Sequence, residues 1–219
     1  MVVAAVLARS PLIMIVVHHL QNSRSQRILW LLEELGLPYQ VKTYKRLKTM
    51  AAPAEMKRVH PLGKSPIIED EGIVIAETGA IIEYLVEKAG GQLGPPADAG
   101  DARRYRFFLH YAEGSVMTAL LMRMVIGMIP LLGRAGKRML QPMVDTHLNY
   151  IEGELAARPW FAGRALTAAD TMMSFPLEFA AKRADGLRGH PATAAWLDAI
   201  HARPAYRAAL ERGGPYMFA

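Results

Sequence analysis

Residues His60 to Ile68 read HPLGKSPII, and the chain runs on through Ile73-Val-Ile-Ala76 into Glu77-Thr78. An apolar strand entered through Lys64-Ser65-Pro66 puts a proline where a sheet normally needs a backbone donor. That allows a cis bond and predicts an open sheet edge. With Ser65 extended, its N–H and C=O face outward and can pair with a short extended ligand, as an added strand would. The apolar spacing of Ala80, Ile81, Tyr84 and Leu85 predicts a helix opened by Glu77-Thr78, with Thr78 as its N-cap. The free N–H groups and positive dipole end of that helix then face the same place as the open edge, where a carboxylate is favoured. One site thus offers backbone pairing, an anion pocket and an acid, Glu77, able to hold an ammonium. The ligand that fits is a small peptide with an amino-acid-like head.

Upstream, Met14-Ile-Val-Val-His18 reads as a strand and a helix follows from about Ser25 to Leu35, its apolar face made by Ile28, Leu29, Leu31, Leu32 and Leu35. Gly36 ends it before Pro38. Tyr39 to Tyr44 alternates as a second strand, and Pro53 to Val59 forms a short helix. The order is β-α-β, then β-β-α. Parallel strands joined by a crossover and antiparallel strands joined by a tight hairpin define a mixed four-stranded sheet of thioredoxin-like type. Strand signals vanish after Ala89-Gly-Gly-Gln-Leu-Gly-Pro-Pro96, a stretch dense in Gly and Pro. Helical patterns then cover 101–129, 137–157, 167–183, 191–202 and 204–212. The expected fold class is therefore α/β plus all-α: an extension over 1–13, a thioredoxin-like domain over 14–89, a linker over 90–97 and an all-helical domain over 98–219. The extension reads as a start-site artefact or a loosely held arm, lacking the basic leader of a signal peptide. Thr167-Ala-Ala-Asp170 reads as a capping box that nucleates the helical domain.

Composition excludes several functions. With no cysteine among 219 residues there is no disulfide, no protein thiolate nucleophile and no thiolate metal site, so any thiol chemistry must come from a ligand. The formal charge of +6 is scattered among acids and does not form a basic run with interleaved aromatics. That suits an anionic small ligand better than nucleic acid. The longest apolar runs are broken by charge, so no membrane span is expected. His18 and His19 are adjacent at a strand end and lack a carboxylate at metal spacing, which reads as structural; no metal is expected.

The stretches GKSPIIEDEGIVIAETGAIIEYL and SRSQRILWLLEELGLPY resemble the glutathione-binding half of the glutathione S-transferase superfamily, the second in its serine-type versions. The likeness is strong over residues 14–88 and generic beyond. It implies that Ser65, ahead of a cis Pro66, pairs with the cysteinyl part of glutathione, and that Glu77 and Thr78 hold its γ-glutamyl end. It also implies that a cation near the short second helix holds the glycyl carboxylate, with Lys48 preferred to His60 and Lys64. Ser23 is the hydroxyl that would keep the sulfur ionised, and Ser25 is the runner-up. The electrophile would lie against the start of the helical domain, where Tyr111 and Glu113 put polar tips beside Gly114 in a stripe rich in aromatics and methionine. The resemblance further implies a cytoplasmic, homodimeric detoxifying transferase that uses glutathione as co-substrate against a hydrophobic electrophile, or reduces an organic peroxide with it. A glutathione-binding or regulatory protein that keeps the pocket without turnover is the alternative. The energetics are adequate. Lowering a thiol pKa from about 8.5 by about two units needs about 2.7 kcal/mol. A hydroxyl donor to a charged acceptor supplies about 1.5 to 3 kcal/mol and a helix dipole about 0.3 to 1.

Overall fold

The computed structural model describes residues 14–183 and 187–218; the expected arm over 1–13 lies outside them. The first unit contains β1 (Ile15–Leu20), α1 (Ser25–Leu35), β2 (Tyr39–Tyr44), α2 (Met56–Val59), β3 (Ile67–Asp70), β4 (Ile73–Ala76) and α3 (Thr78–Lys88). The strands form one sheet in the order β2-β1-β3-β4, with β1 parallel to β2 and antiparallel to β3, and β3 antiparallel to β4. This is the mixed thioredoxin-like sheet that the strand order predicts. Gly36 takes a left-handed conformation with φ 64°, and Leu37 N–H returns to the Leu32 carbonyl, which stops α1 as its sequence indicates.

The helical unit contains α4 (Ala99–Tyr111), a π-helical turn (Ala112–Met117), α5 (Thr118–Gly127), α6 (Gly133–Ala157), α7 (Ala168–Arg183), α8 (Pro191–His201) and α9 (Pro204–Gly213). Asp98 caps α4, its carboxylate accepting from Gly100 and Asp101 N–H at 2.8 and 2.9 Å. The single helix expected over 101–129 is thus interrupted by the π turn at 112–117. Such turns carry one residue more than an α-turn and recur at functional sites.

Helix α1 is buried on every side, Gln26 and Arg27 included, although its sequence shows one apolar face. The sheet and α3 take one side, and α7 and α9 of the helical unit take the other. The apolar residues of both units therefore form one continuous core.

The Thr167–Asp170 box does more than cap. Asp170 is fully buried; its Oδ2 accepts from Thr167 N–H and Oγ1–H at 2.9 and 3.0 Å, and its Oδ1 accepts from Phe161 N–H at 3.0 Å. It ties the start of α7 to the loop ahead of it. Burial pushes its pKa up to about 6 against the pull of those donors, so it is an ionised acceptor at neutral pH. Asp170→Asn sets an amide N–H against an N–H donor, and we expect it to lower the unfolding free energy by about 2 to 4 kcal/mol in urea denaturation with an unchanged m value.

Candidate active site

The loop between β1 and α1 is pinned from both units. Arg46 donates to the Gln21 and Asn22 carbonyls at 3.0 and 3.1 Å, and the Asn22 side chain accepts from Met217 N–H, near the C-terminus, at 2.8 Å. This holds Ser23, 4% exposed, with its Oγ 2.9 Å from Ser25 Oγ and 3.2 Å from Ser65 Oγ. Ser65 Oγ in turn lies 3.4 Å from Leu20 N–H, which donates to it, and 3.3 Å from the His18 carbonyl, to which it donates. The Ser65–Pro66 bond is cis, and the Ser65 backbone N–H and C=O have no hydrogen-bond partner among the described residues. The open sheet edge expected from the proline is not found, because β3 is paired with β1 on one side and β4 on the other; the free groups belong to the loop residue just ahead of it.

His19 lies behind these hydroxyls. Burial lowers its pKa to about 4, so the ring is neutral at neutral pH. Its Nδ1 lies 2.9 Å from Ser25 Oγ, and the ring packs close to Gly213. Ser25 Oγ also lies 3.4 Å from the Leu20 carbonyl, to which it can donate. His18 is likewise buried, set between the Tyr44 hydroxyl at 2.9 Å and Glu69 at 2.6 Å. Among the described residues no group of three His, Asp or Glu side chains could hold a metal ion. No helix there is long and apolar enough to cross a membrane.

A cleft of about 680 Å³ opens between the two units. Lys64, Ser65, Pro66, Glu77 and Thr78 stand on its sheet side. Leu109, His110, Glu113 and Gly114 face them from the helical unit, with Arg24 and Met172 also on the wall. Ser23 lies directly behind Ser65. Glu77 precedes α3 with φ 73°, a left-handed conformation sparsely populated for a side chain of its kind and frequent at binding sites. No side chain caps the first turn of α3, so its N–H groups remain available at the cleft. Thr78 is not the expected N-cap: it is the first residue of the helix, Glu77 holds the cap position, and Thr78 Oγ1 accepts from Arg27 Nη2 at 3.2 Å.

Arg27 is the charged centre of the site. Fully buried, it also donates from Nη1 to the Met172 carbonyl at 2.6 Å and forms an ion pair with Glu113. Glu113 accepts from Arg24 Nε at 2.8 and 2.9 Å as well. Burial alone would raise the Glu113 pKa, but the Arg27 and Arg24 guanidiniums hold it below the usual carboxylate range. Glu113 thus borders the cleft as the counter-ion of two arginines.

Two other expected residues do not line the cleft. Tyr111 is two residues from Glu113, and residues so spaced on a helix point to different sides. Its hydroxyl meets His147 Nδ1 at 2.7 Å, its ring stacks on Phe107, and it borders a shallow outer depression; His110 takes the cleft position instead. Lys48 is exposed in the turn after β2 and is not part of the cleft wall, whereas Lys64 is. Sequence reading missed Arg24 and Arg27. Their signal was two arginines in a helix otherwise headed for the core.

The chain matches the family model for the glutathione S-transferase N-terminal domain over residues 13–87 and that for its C-terminal domain over 128–204. It is 39% identical to glutathione S-transferase 3 of Schizosaccharomyces pombe over 91% of this chain and 88% of that protein. A glutathione S-transferase structure from Actinobacillus pleuropneumoniae superposes with a TM-score of 0.85 at 33% identity, covering 94% of this chain and 95% of the other. A sphingomonad glutathione S-transferase in complex with glutathione gives 0.74 at 25% identity, covering 91% and 98%. The chain belongs to the glutathione S-transferase family. It is a glutathione transferase.

Arg27→Leu strands Glu113 and Thr78 without their shared donor and is expected to cost about 3 to 5 kcal/mol of stability. Arg27→Lys, with one charged head in place of a planar fork, recovers only part of it in the same denaturation series.

Proposed function

We propose that the protein binds glutathione as co-substrate along the Ser65–Pro66 loop ahead of β3 and activates its sulfur as a thiolate through the Ser23 hydroxyl. The observation that carries this reading is the 3.2 Å separation of Ser23 Oγ from Ser65 Oγ, at a residue whose backbone donor and acceptor are both free for an extended peptide. The cysteinyl part of glutathione pairs with Ser65, and its sulfur comes to Ser23. The γ-glutamyl end lies at Glu77, Thr78 and the uncapped start of α3, where the carboxylate meets N–H groups and the ammonium meets Glu77. Lys64, on the cleft wall, and Lys48, by the family resemblance, are the cations offered to the glycyl carboxylate.

Ser25 is fully buried and enclosed by His19, Ser23 and the Leu20 carbonyl, which favours Ser23 over Ser25. Ser23 keeps a proton that can turn from the neutral Ser25 oxygen to a thiolate, and a charged acceptor forms the stronger bond. No protein nucleophile is required, because glutathione's own sulfur attacks. The enzyme ionises it and orients it against a hydrophobic electrophile in the half of the cleft formed by Leu109, Gly114 and Met172. Reduction of an organic peroxide uses the same thiolate. A detoxifying role in the cytoplasm belongs to the same reading.

Ser23→Ala should raise the thiol pKa of bound glutathione by more than about one unit, the worth of one hydroxyl donor, with only modest loss of affinity. Ser25→Ala should move it far less. Ultraviolet titration of the thiolate, beside calorimetric Kd values, measures both, and an unchanged titration in Ser23→Ala rules out its role. Pairing as a homodimer is part of this reading. Ile73 and Val74 on the edge strand β4 and Phe107 on α4 are exposed apolar side chains suited to an interface. Sedimentation at micromolar concentration should give twice the chain mass, and a monomer there would refute the pairing.

A further inference from the structure

Arg24 borders the cleft and is fixed at two points. Its Nε donates to both oxygens of Glu113, and its guanidinium carbon lies 5.1 Å from the centre of the Phe175 ring. A planar group anchored along one edge and over one face cannot swing freely. Neither Nη atom has a hydrogen-bond partner among the described residues, and the side chain is 29% exposed. The Nη edge is therefore the part of the group still available to a molecule in the cleft. Glu113 balances only one of the two arginines it touches, so the cluster of Arg24, Arg27 and Glu113 keeps one net positive charge. It follows Ser23 directly in the chain. A fixed donor pair with a net charge beside the reacting sulfur is suited to an oxygen that becomes negative during reaction.

Resting on the reading of Ser23 and Ser65 as the sulfur site, we propose that Arg24 is a catalytic residue that selects α,β-unsaturated carbonyl electrophiles. Its Nη donors bind the carbonyl oxygen and stabilise the charge that develops there. In the step, an electron pair of the glutathione thiolate forms the C–S bond at the β-carbon. The C=C pair shifts to join the α-carbon to the carbonyl carbon, and the carbonyl π pair moves onto oxygen, giving an enolate held by Arg24. Water then protonates the α-carbon, and the hydroxide left behind is neutralised by the proton released when the thiol ionised. The sum is addition of glutathione across the double bond. An alkyl iodide makes a different demand, since its charge departs on a large, weakly hydrogen-bonding halide.

The test compares benzylideneacetone with benzyl iodide as electrophiles for the full chain. Arg24→Gln should lower kcat/KM for the enone by about 100-fold, the effect of losing an oxyanion donor, and lower that for the iodide far less. Arg24→Lys, which keeps the charge, should recover part of the enone activity. The glutathione Kd should stay within about twofold in both variants, as Arg24 acts on the electrophile and not on glutathione. Equal losses with both electrophiles, or a weakened glutathione Kd that accounts for the loss, would overturn the assignment. The thiolate titration separates this from the underlying reading. A wild-type protein that leaves bound glutathione un-ionised overturns the sulfur site and this proposal with it. An ionised thiol with equal losses overturns the role of Arg24 alone.

Discussion

A single buried guanidinium holds the two halves of this enzyme in register. Arg27 comes from the first helix of the sheet unit, yet its partners are Thr78 at the start of α3, Glu113 in the π turn of the helical unit and the Met172 carbonyl in α7. A charge taken out of water costs several kcal/mol unless it is paired and hydrogen-bonded. The fold therefore has to bring those elements together around it. The cleft lies along this junction, so the constraint that seats the units also shapes the site.

The same economy of backbone groups marks both binding surfaces. In the loop that enters β3, Pro66 has no donor and Ser65 is left with its N–H and C=O open. At α3, Glu77 holds the cap position without a side-chain bond and the Thr78 hydroxyl is turned toward Arg27, so the helix N–H groups are uncapped. Each is a local deficit in a molecule whose buried polar groups are otherwise largely paired. A peptide with a charged head supplies what both lack. The loop carrying Ser23 is held by Arg46 and by the chain's end at Met217, and His19 reaches from the core to Ser25 and to Gly213 at the close of α9. The helical unit thus supports the Ser23 loop from behind as well as forming the opposite wall.

Much of this was legible in the chain because it depends on short spacings. The alternation of Tyr39 to Tyr44, the helical period of Ile28 to Leu35, the stop at Gly36, the proline ahead of Ile67 and the Gly-Pro stretch after Lys88 each act within a few residues. Together they determine a mixed sheet followed by helices. The absence of cysteine determines that reactive sulfur has to be brought in by a ligand. These are consequences of side-chain period and backbone chemistry, and no distant contact alters them.

What only the tertiary structure decided is which polar side chains meet. Arg27 and Glu113 are 86 residues apart, Ser23 and Ser65 are 42 apart, and Asn22 and Met217 are 195 apart. No local pattern encodes such pairings. Tyr111 and Glu113 looked equivalent as neighbours in a polar patch, but helical rotation sends one to the outer face and the other into the cleft. Lys48 and Lys64 were two cations in one segment until the path of the chain set only the second against the wall. Thr78 reads as a cap, but it is the first residue of the helix, with its hydroxyl on a buried arginine. Local sequence sets what each segment can do, whereas burial, by forcing every charge to find a partner, chooses what each polar residue does.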